Sequence, residues 1–265
     1  MKNAITPQTY IASLQAKGHS TFTTQDFRNS LSLTATATRF AIYRLKQKRE
    51  IATPVQGFHL ILTPEYRYLA CLPPELMIDQ LMSYLRLPYY VGLLSAAENH
   101  GAAHQRPQKY QVVTAKKRRN IICGKVEIDF FQKTKIQETL IESRNVKSGT
   151  IKISSPELTA LDLVGYQQQS GGLQHVLTVL AELSEEFDEK KLLEAAKLCS
   201  INWVQRLGVL LEMLGKDAVA KELKAYVNKK ARNYVPLVLG GDVDDKNKNP
   251  DWKVFVNESL EVDEL

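Results

Sequence analysis

The chain has 265 residues, 44% of them hydrophobic and 24% charged, and its formal net charge is +6. That balance belongs to a folded globular protein with room for one or two cores, and it excludes a disordered chain. No run of about eighteen apolar residues occurs, which excludes an apolar membrane-spanning helix. The opening MKNAITPQTY lacks the apolar stretch of a secretory leader, so a cytoplasmic protein with no membrane partner is expected. Cys71, Cys123 and Cys199 are far apart in sequence and form no C-x-x-C pair. They read as small buried hydrophobes in a reducing compartment.

In chain order, Pro7 to Lys17 carries Tyr10, Ile11 and Leu14 at helical spacing, and Gly18 follows as a stop. Ser20 to Phe22 reads as short and extended. Thr23 or Thr24 then caps a second helix that points Phe27 and Leu31 inward, with Asp26 in its first turn. Leu31 to Leu33 is a tight corner, and a third helix is expected from about Thr34 to Lys48. Ile51 to Pro54 and Gly57 to Leu62 are apolar runs around a turn, which predicts a hairpin. Helix, strand, helix, corner, helix, hairpin is the order of a winged helix-turn-helix.

Thr63 to Pro74 contains prolines that halt regular structure and reads as a linker. Beyond it, Glu75 to Leu85 and Tyr90 to Asn99 are expected as helices. Tyr110 to Ala115, Ile121 to Phe131 and Val146 to Ile153 are expected as strands. Ser155 caps a helix with Pro156 at its first position, running to about Gln168. Leu173 to Lys230 reads as helical in at least three segments, and Trp252 to Val256 alternates like a last strand. The expected fold class is α+β: a winged helix-turn-helix over residues 1–65, then a larger mixed α/β domain over residues 66–265 with a helical C-terminal half.

Charge is concentrated in the first of these regions. Between Met1 and Leu60, eight cations (Lys2, Lys17, Arg28, Arg39, Arg44, Lys46, Lys48, Arg49) face two acids, Asp26 and Glu50. This excess of six equals the charge of the whole chain, so the remaining 205 residues sum to zero. A basic module of this size gains affinity for any duplex by neutralising phosphates and releasing counterions. The third helix sharpens the expectation. At 100° per residue, Thr34, Ala37, Ala41 and Leu45 fall on one side, while Thr36, Arg39, Tyr43 and Lys46 fall on the other. Small alanines let the helix sit close on its neighbours, and the outer face suits a major groove, where arginine bridges guanine O6 and N7. Lys48, Arg49 and the hairpin around Gln56 suit phosphates, and Arg28 and Ser32 complete the set of DNA-binding candidates. A solvated basic helix without a nucleic-acid partner is the plainer alternative.

Other patterns point less clearly to chemistry. His100 and His104 have the spacing of a zinc-binding helix but lack the glutamate of a metalloprotease and any evident third ligand. Neither a metal nor another cofactor is expected. Lys116 to Arg119 reads as a solvated hairpin tip, and Asp162, among apolar residues, as a hydrogen-bonded structural aspartate. Glu127 and Asp129 share one strand face, the placement that metal-dependent phosphoryl transfer uses and that any solvated strand also shows. No phosphate loop or nucleophile elbow accompanies them, so no catalytic residue is assigned. A metal-dependent nucleotidyltransferase-like enzyme and a protein-interaction module without DNA binding stay open as rivals.

Two stretches of the second region carry a family resemblance. Tyr89 to Gln108 (YYVGLLSAAENHGAAHQRPQ) and Ile153 to Val164 (ISSPELTALDLV) resemble the AbiEi antitoxins, as does the basic module before them. The resemblance implies an antitoxin of a type IV toxin–antitoxin system, countering a nucleotidyltransferase-like toxin without requiring a stable complex. It also implies autorepression through the N-terminal winged helix at operator DNA with inverted repeats. It brings no catalytic residues, and the alanines, leucines and glycine of the two stretches read as packing residues.

Overall fold

The computed structural model describes residues 6–102, 107–240, 242 and 244–261. Helix α1 (Pro7–Ala16) starts where Thr6 and Thr9 exchange side-chain and backbone hydrogen bonds in a capping box, and Gly18, at φ 78°, turns the chain away after it. Strand β1 (Thr21–Thr23) ends on Thr23, whose hydroxyl accepts the Asp26 N–H and caps α2 (Thr24–Ser30). Thr34 caps α3 (Ala35–Gln47) in the same way. Strands β2 (Ile51–Val55) and β3 (Phe58–Ile61) pair antiparallel, and β1 joins the far side of β3 to give the order β1-β3-β2.

Tyr10, Ile11, Phe22, Phe27, Ala41, Leu45, Ile51 and Ile61 form the core between these helices and the small sheet. Tyr10 meets Phe22 and Phe27 edge to face, at ring separations of 5.9 and 5.4 Å, the geometry favoured by aromatic quadrupoles. The inner face of α3 consists of Thr38, Ala41 and Leu45. Thr38, not Thr34, fills the polar position there, because its hydroxyl can return to the Thr34 carbonyl at 2.8 Å while Thr34 stays outside as the cap.

Single 3-10 turns at Pro64–Tyr66 and Pro74–Leu76 occupy the proline-containing stretch, and α4 (Ile78–Leu85) follows. Next come β4 (Tyr89–Val91), α5 (Leu93–Asn99), β5 (Tyr110–Thr114), β6 (Ile121–Cys123), β7 (Val126–Gln132), β8 (Ile141–Val146) and β9 (Gly149–Ser154). Their six strands form one mixed sheet in the order β6-β7-β5-β4-β9-β8. Three expectations are corrected here. Tyr90 and Val91 belong to a strand and not to the start of a helix, because buried β4 lies between β5 and β9, with Val91 opposite Ile153. Ile121 to Phe131 is a hairpin, broken by Gly124 at φ 59°. Lys116 to Arg119 is not a hairpin tip, since β7 lies between β5 and β6 and pairs with both.

Helix α6 (Pro156–Gly165), capped by Ser155, is buried from Pro156 to Val164. It packs against α5, α7 (Leu173–Leu183), α8 (Glu189–Leu198) and α9 (Ile201–Met213). Helix α10 (Asp217–Lys230) and three short strands complete the chain: β10 (Val235–Pro236), β11 (Lys248–Asn249) and β12 (Val254–Phe255), ordered β10-β12-β11. Backbone contacts divide the chain into two compact units. One comprises Met1–Tyr90, Gln108–Ile136 and Ser143–Lys152, and the other Val91–Pro107, Gln137–Glu142 and Ile153–Leu265. No helix among the described residues is long and apolar enough to cross a membrane.

In the second unit Trp252 is 2% exposed, lies flat against Gly208 of α9, and donates its indole N–H to the Glu212 carboxylate at 2.7 Å. A Cβ at position 208 would overlap the Trp252 ring. Gly208→Ala is therefore expected to destabilise the chain by about 1–3 kcal/mol through overpacking, with a red shift in tryptophan emission, read by urea unfolding.

Candidate nucleic-acid interface

The local sequence around α3 leaves one of its faces in solvent. With Thr38, Ala41 and Leu45 turned to the core, the helical phase exposes Thr36, Arg39, Tyr43 and Lys46. The exposed face also carries Phe40, 53% accessible, which was not among the candidates. Its position, four residues after Thr36 and three before Tyr43, places it on the outer face. The Arg39 guanidinium lies 5.6 Å from the Phe40 ring centre, so the cation and the exposed aromatic support one another.

Arg28, in the last turn of α2, donates through Nε to the Leu33 carbonyl at 3.3 Å, which fixes the corner leading into α3. Ser32 sits at that corner with φ 51°. Lys48 closes α3, and Arg49, also left-handed at φ 52°, makes the turn into β2. Gln56 occupies the β2–β3 turn, where its carbonyl accepts the Tyr84 hydroxyl at 3.0 Å. All nine candidates from the sequence are thus described, and all lie at the surface except Ser32's immediate neighbours in the corner, which are half-buried.

Four of them meet. Arg28, Arg39, Lys46 and Gln56 line a cavity of about 330 Å³ between α2, α3 and the β2–β3 hairpin, together with Thr24, Thr53 and His59. Its lining holds three permanent cations and no carboxylate. Ser32, Thr36, Tyr43, Lys48 and Arg49 are not part of this lining. His59 is 3% exposed and spans the gap, with Nε2 2.8 Å from the Thr24 hydroxyl and Nδ1 2.9 Å from the Thr53 hydroxyl. Burial, reinforced by the charge of Lys46, pushes its pKa down to about 4, so the ring is neutral and one nitrogen donates while the other accepts. No local pattern signals this role, because it depends on a contact between residues 35 positions apart.

In the second unit the two stretches with the family resemblance fold against each other. Val91 pairs with Ile153 in parallel β4 and β9, and the Ser154 hydroxyl reaches the Val91 carbonyl at 3.3 Å. His100 Nε2 donates to the Ser154 carbonyl at 2.8 Å. His104, its expected spacing partner, lies outside the described residues. Asp162 is fully buried and engaged by neighbours. Residues 90–213 match the AbiEi antitoxin C-terminal domain. Both resembling stretches fall largely within that match. Among solved structures, the crystal structure of Rv2827c from Mycobacterium tuberculosis is similar to this chain, with a TM-score of 0.71 and 15% identity over 92% of this chain and 89% of that one. This likeness establishes a shared fold. No curated protein matches the chain in sequence.

The carboxylates considered for metal chemistry sit in a different arrangement. Lys109 Nζ lies 3.2 Å from Glu127 and 3.9 Å from Asp129, and Asn120 donates to Asp129 at 2.6 Å. The Glu127 hydrogen bond and the Asp129 charge hold the Lys109 ammonium above its ordinary range. A cation already bridges the strand face that a metal would need. Among the described residues no group of three histidine, cysteine, aspartate or glutamate side chains is placed to hold a metal ion.

The neutral, buried His59 makes a pH prediction. A histidine whose folded pKa is depressed stabilises the fold fully above its unfolded value near 6.5 and loses that contribution as pH falls toward 4. Acidification across this window is expected to cost about 3 kcal/mol that a His59→Gln variant does not lose, measured by chemical denaturation at a series of pH values.

Proposed function

We propose that the chain is a DNA-binding autorepressor that doubles as the antitoxin of a type IV toxin–antitoxin system. Residues 1–65 act as a winged helix-turn-helix, with α3 as recognition helix and the β2–β3 hairpin as wing, and residues 66–265 carry the antitoxin function. The observation that supports the DNA-binding half is the outer face of α3. It combines Thr36, Arg39, Phe40 and Tyr43 in solvent with a cation-lined cavity at its edge. Arg39 reads a guanine edge through its two-pronged guanidinium, and Tyr43 and Thr36 contact neighbouring bases. Arg28, Lys46, Lys48, Arg49, Ser32 and Gln56 hold the flanking phosphates. The operator carries inverted repeats, so two copies bind symmetrically.

The antitoxin half is supported by the family match over residues 90–213. The partner is a nucleotidyltransferase-like toxin, opposed without a lasting complex, and the action needs neither a catalytic residue nor a cofactor of this chain. The protein works in the cytoplasm, where both partners are found.

Full-length protein is expected to bind its own promoter with an affinity that falls steeply between 50 and 200 mM salt, on the order of 10³-fold for six phosphate contacts. Arg39→Ala should cost about 1–3 kcal/mol on the operator and relax its base preference, whereas Lys48→Ala should weaken operator and random DNA alike. Equal effects of the two changes on both DNAs would overturn this assignment of roles. In cells expressing the toxin, a full-length Arg39→Ala/Lys46→Ala/Lys48→Ala variant should lose promoter repression and still restore growth, which separates the two activities.

A further inference from the structure

The proline-containing stretch after β3 and the turn between β6 and β7 cross with their backbones in contact. Lys125 N–H donates to the Leu69 carbonyl at 2.8 Å. Gly124, at φ 59°, has no room for a side chain, since a Cβ there would overlap the Leu69 carbonyl and the Ala70 backbone. Ala70 is itself left-handed, at φ 52°, a conformation that costs a residue with a Cβ about 1 kcal/mol or more. This crossing brings together two cysteines 52 positions apart. The Cys123 thiol points its S–H at the Ala70 carbonyl at 4.0 Å, one residue before Cys71, and the two cysteine side chains are close enough to perturb each other's ionisation. Cys71 is fully buried, and Cys123 is 6% exposed.

The pair also touches the elements that carry the cation-lined cavity. Strand β6 packs on β2, and the Thr53 backbone lies near enough to Cys123 to favour its charged form. The same threonine holds His59 through its hydroxyl, and His59 holds Thr24 at the start of α2. A line of neighbours therefore runs from Cys123 to Thr53, and hydrogen bonds carry it on through His59 to the start of α2.

We propose that Cys71 and Cys123 are a reversible disulfide site, oxidised by hydroperoxides, whose closure is felt by the β2–β3 hairpin through Thr53. The two sulfurs have unequal roles. The Cys71 side chain, with the Lys46 charge and the Thr53 backbone, holds the Cys123 thiol below its ordinary range against the opposing effect of burial. The Cys71 thiol, beside Cys123 and fully buried, is pushed up. Cys123 is thus the attacking thiolate. It takes the distal oxygen of the peroxide, whose O–O bond breaks to release water, and becomes a sulfenic acid. The Cys71 sulfur then attacks the Cys123 sulfur, a second water leaves, and the disulfide forms. Two thiols and one hydrogen peroxide yield one disulfide and two waters. Once bonded to Cys71, the Cys123 sulfur can no longer ionise, so the attraction that the Thr53 backbone offers its charged form is lost and the support of β2 weakens.

The test uses full-length reduced protein exposed to hydrogen peroxide, then denatured, alkylated and mapped by peptide mass. The expected product is a peptide linking Cys71 to Cys123 within one chain, with Cys199 alkylated and the link removed by dithiothreitol. Recovery of both Cys71 and Cys123 as alkylated thiols, or a link through Cys199 or between chains, would overturn the proposal. No variant is needed for this readout, so loss of folding cannot mimic it. A Cys199→Ser chain should give the same linked peptide. The effect on the hairpin rests on the DNA-binding reading and is scored separately: linked Cys199→Ser protein should bind promoter DNA more weakly than reduced protein, with recovery on adding dithiothreitol. An unchanged affinity in protein whose link is demonstrated would overturn the coupling to the hairpin. Failure of reduced protein to bind at all would instead count against the DNA-binding reading.

Discussion

Helix α6 has almost no solvent face, so every polar group at its N-terminal end must find a partner inside the protein. The solution centres on one carboxylate. Glu157, 1% exposed, accepts the Ser155 hydroxyl at 2.7 Å and the Asp188 N–H at 2.8 Å. Asp188 caps α8, so a single buried anion lies at the start of two helices, where both dipoles favour it. The Ser154 hydroxyl pairs with Thr159 at 2.7 Å, and its carbonyl receives His100. Packing of α5, α7, α8 and α9 around α6 depends on this arrangement being complete, because removing one member would leave its partners buried and unpaired.

The same requirement explains why the two stretches are rich in alanine, leucine, serine and threonine. Small residues admit neighbouring helices closely, and short hydroxyls satisfy one another at that distance. The elements from α1 to β3 follow a different rule: their core is a small group of aromatic and aliphatic side chains, and the cations of α2 and α3 stay outside.

Sequence legibility followed how local the determining interaction was. The first three helices could be read because each begins on a threonine whose hydroxyl caps it three residues on, and Gly18 ends the first. Tyr89 to Val91 could not, because three apolar residues suit a buried strand or a helix equally, and pairing with β9, some sixty residues later, decides. Strand β8, with Glu142, Ser143, Arg144 and Asn145 in solvent, lacks any apolar alternation that would announce it. For the site, helical phase was enough to expose Thr36, Arg39, Tyr43 and Lys46. The same phase puts Phe40, 53% accessible, on that outer face, a position its hydrophobic character does not announce. The roles of His59 and of the Cys71–Cys123 pair rest on tertiary contacts that no local pattern encodes.

Arg49 turns the chain from α3 into β2 in a left-handed conformation, which strains any residue with a Cβ and which glycine adopts freely. Ser32 does the same at the corner before α3. At both corners, folding alone would be better served by glycine. The chain instead carries a guanidinium at one and a hydroxyl at the other, each exposed to solvent. Thermostability and side-chain chemistry therefore pull these two positions in opposite directions. A version of the protein optimised for robustness alone would be expected to lose both groups first, and its melting temperature would rise while its surface became less able to hold an anion.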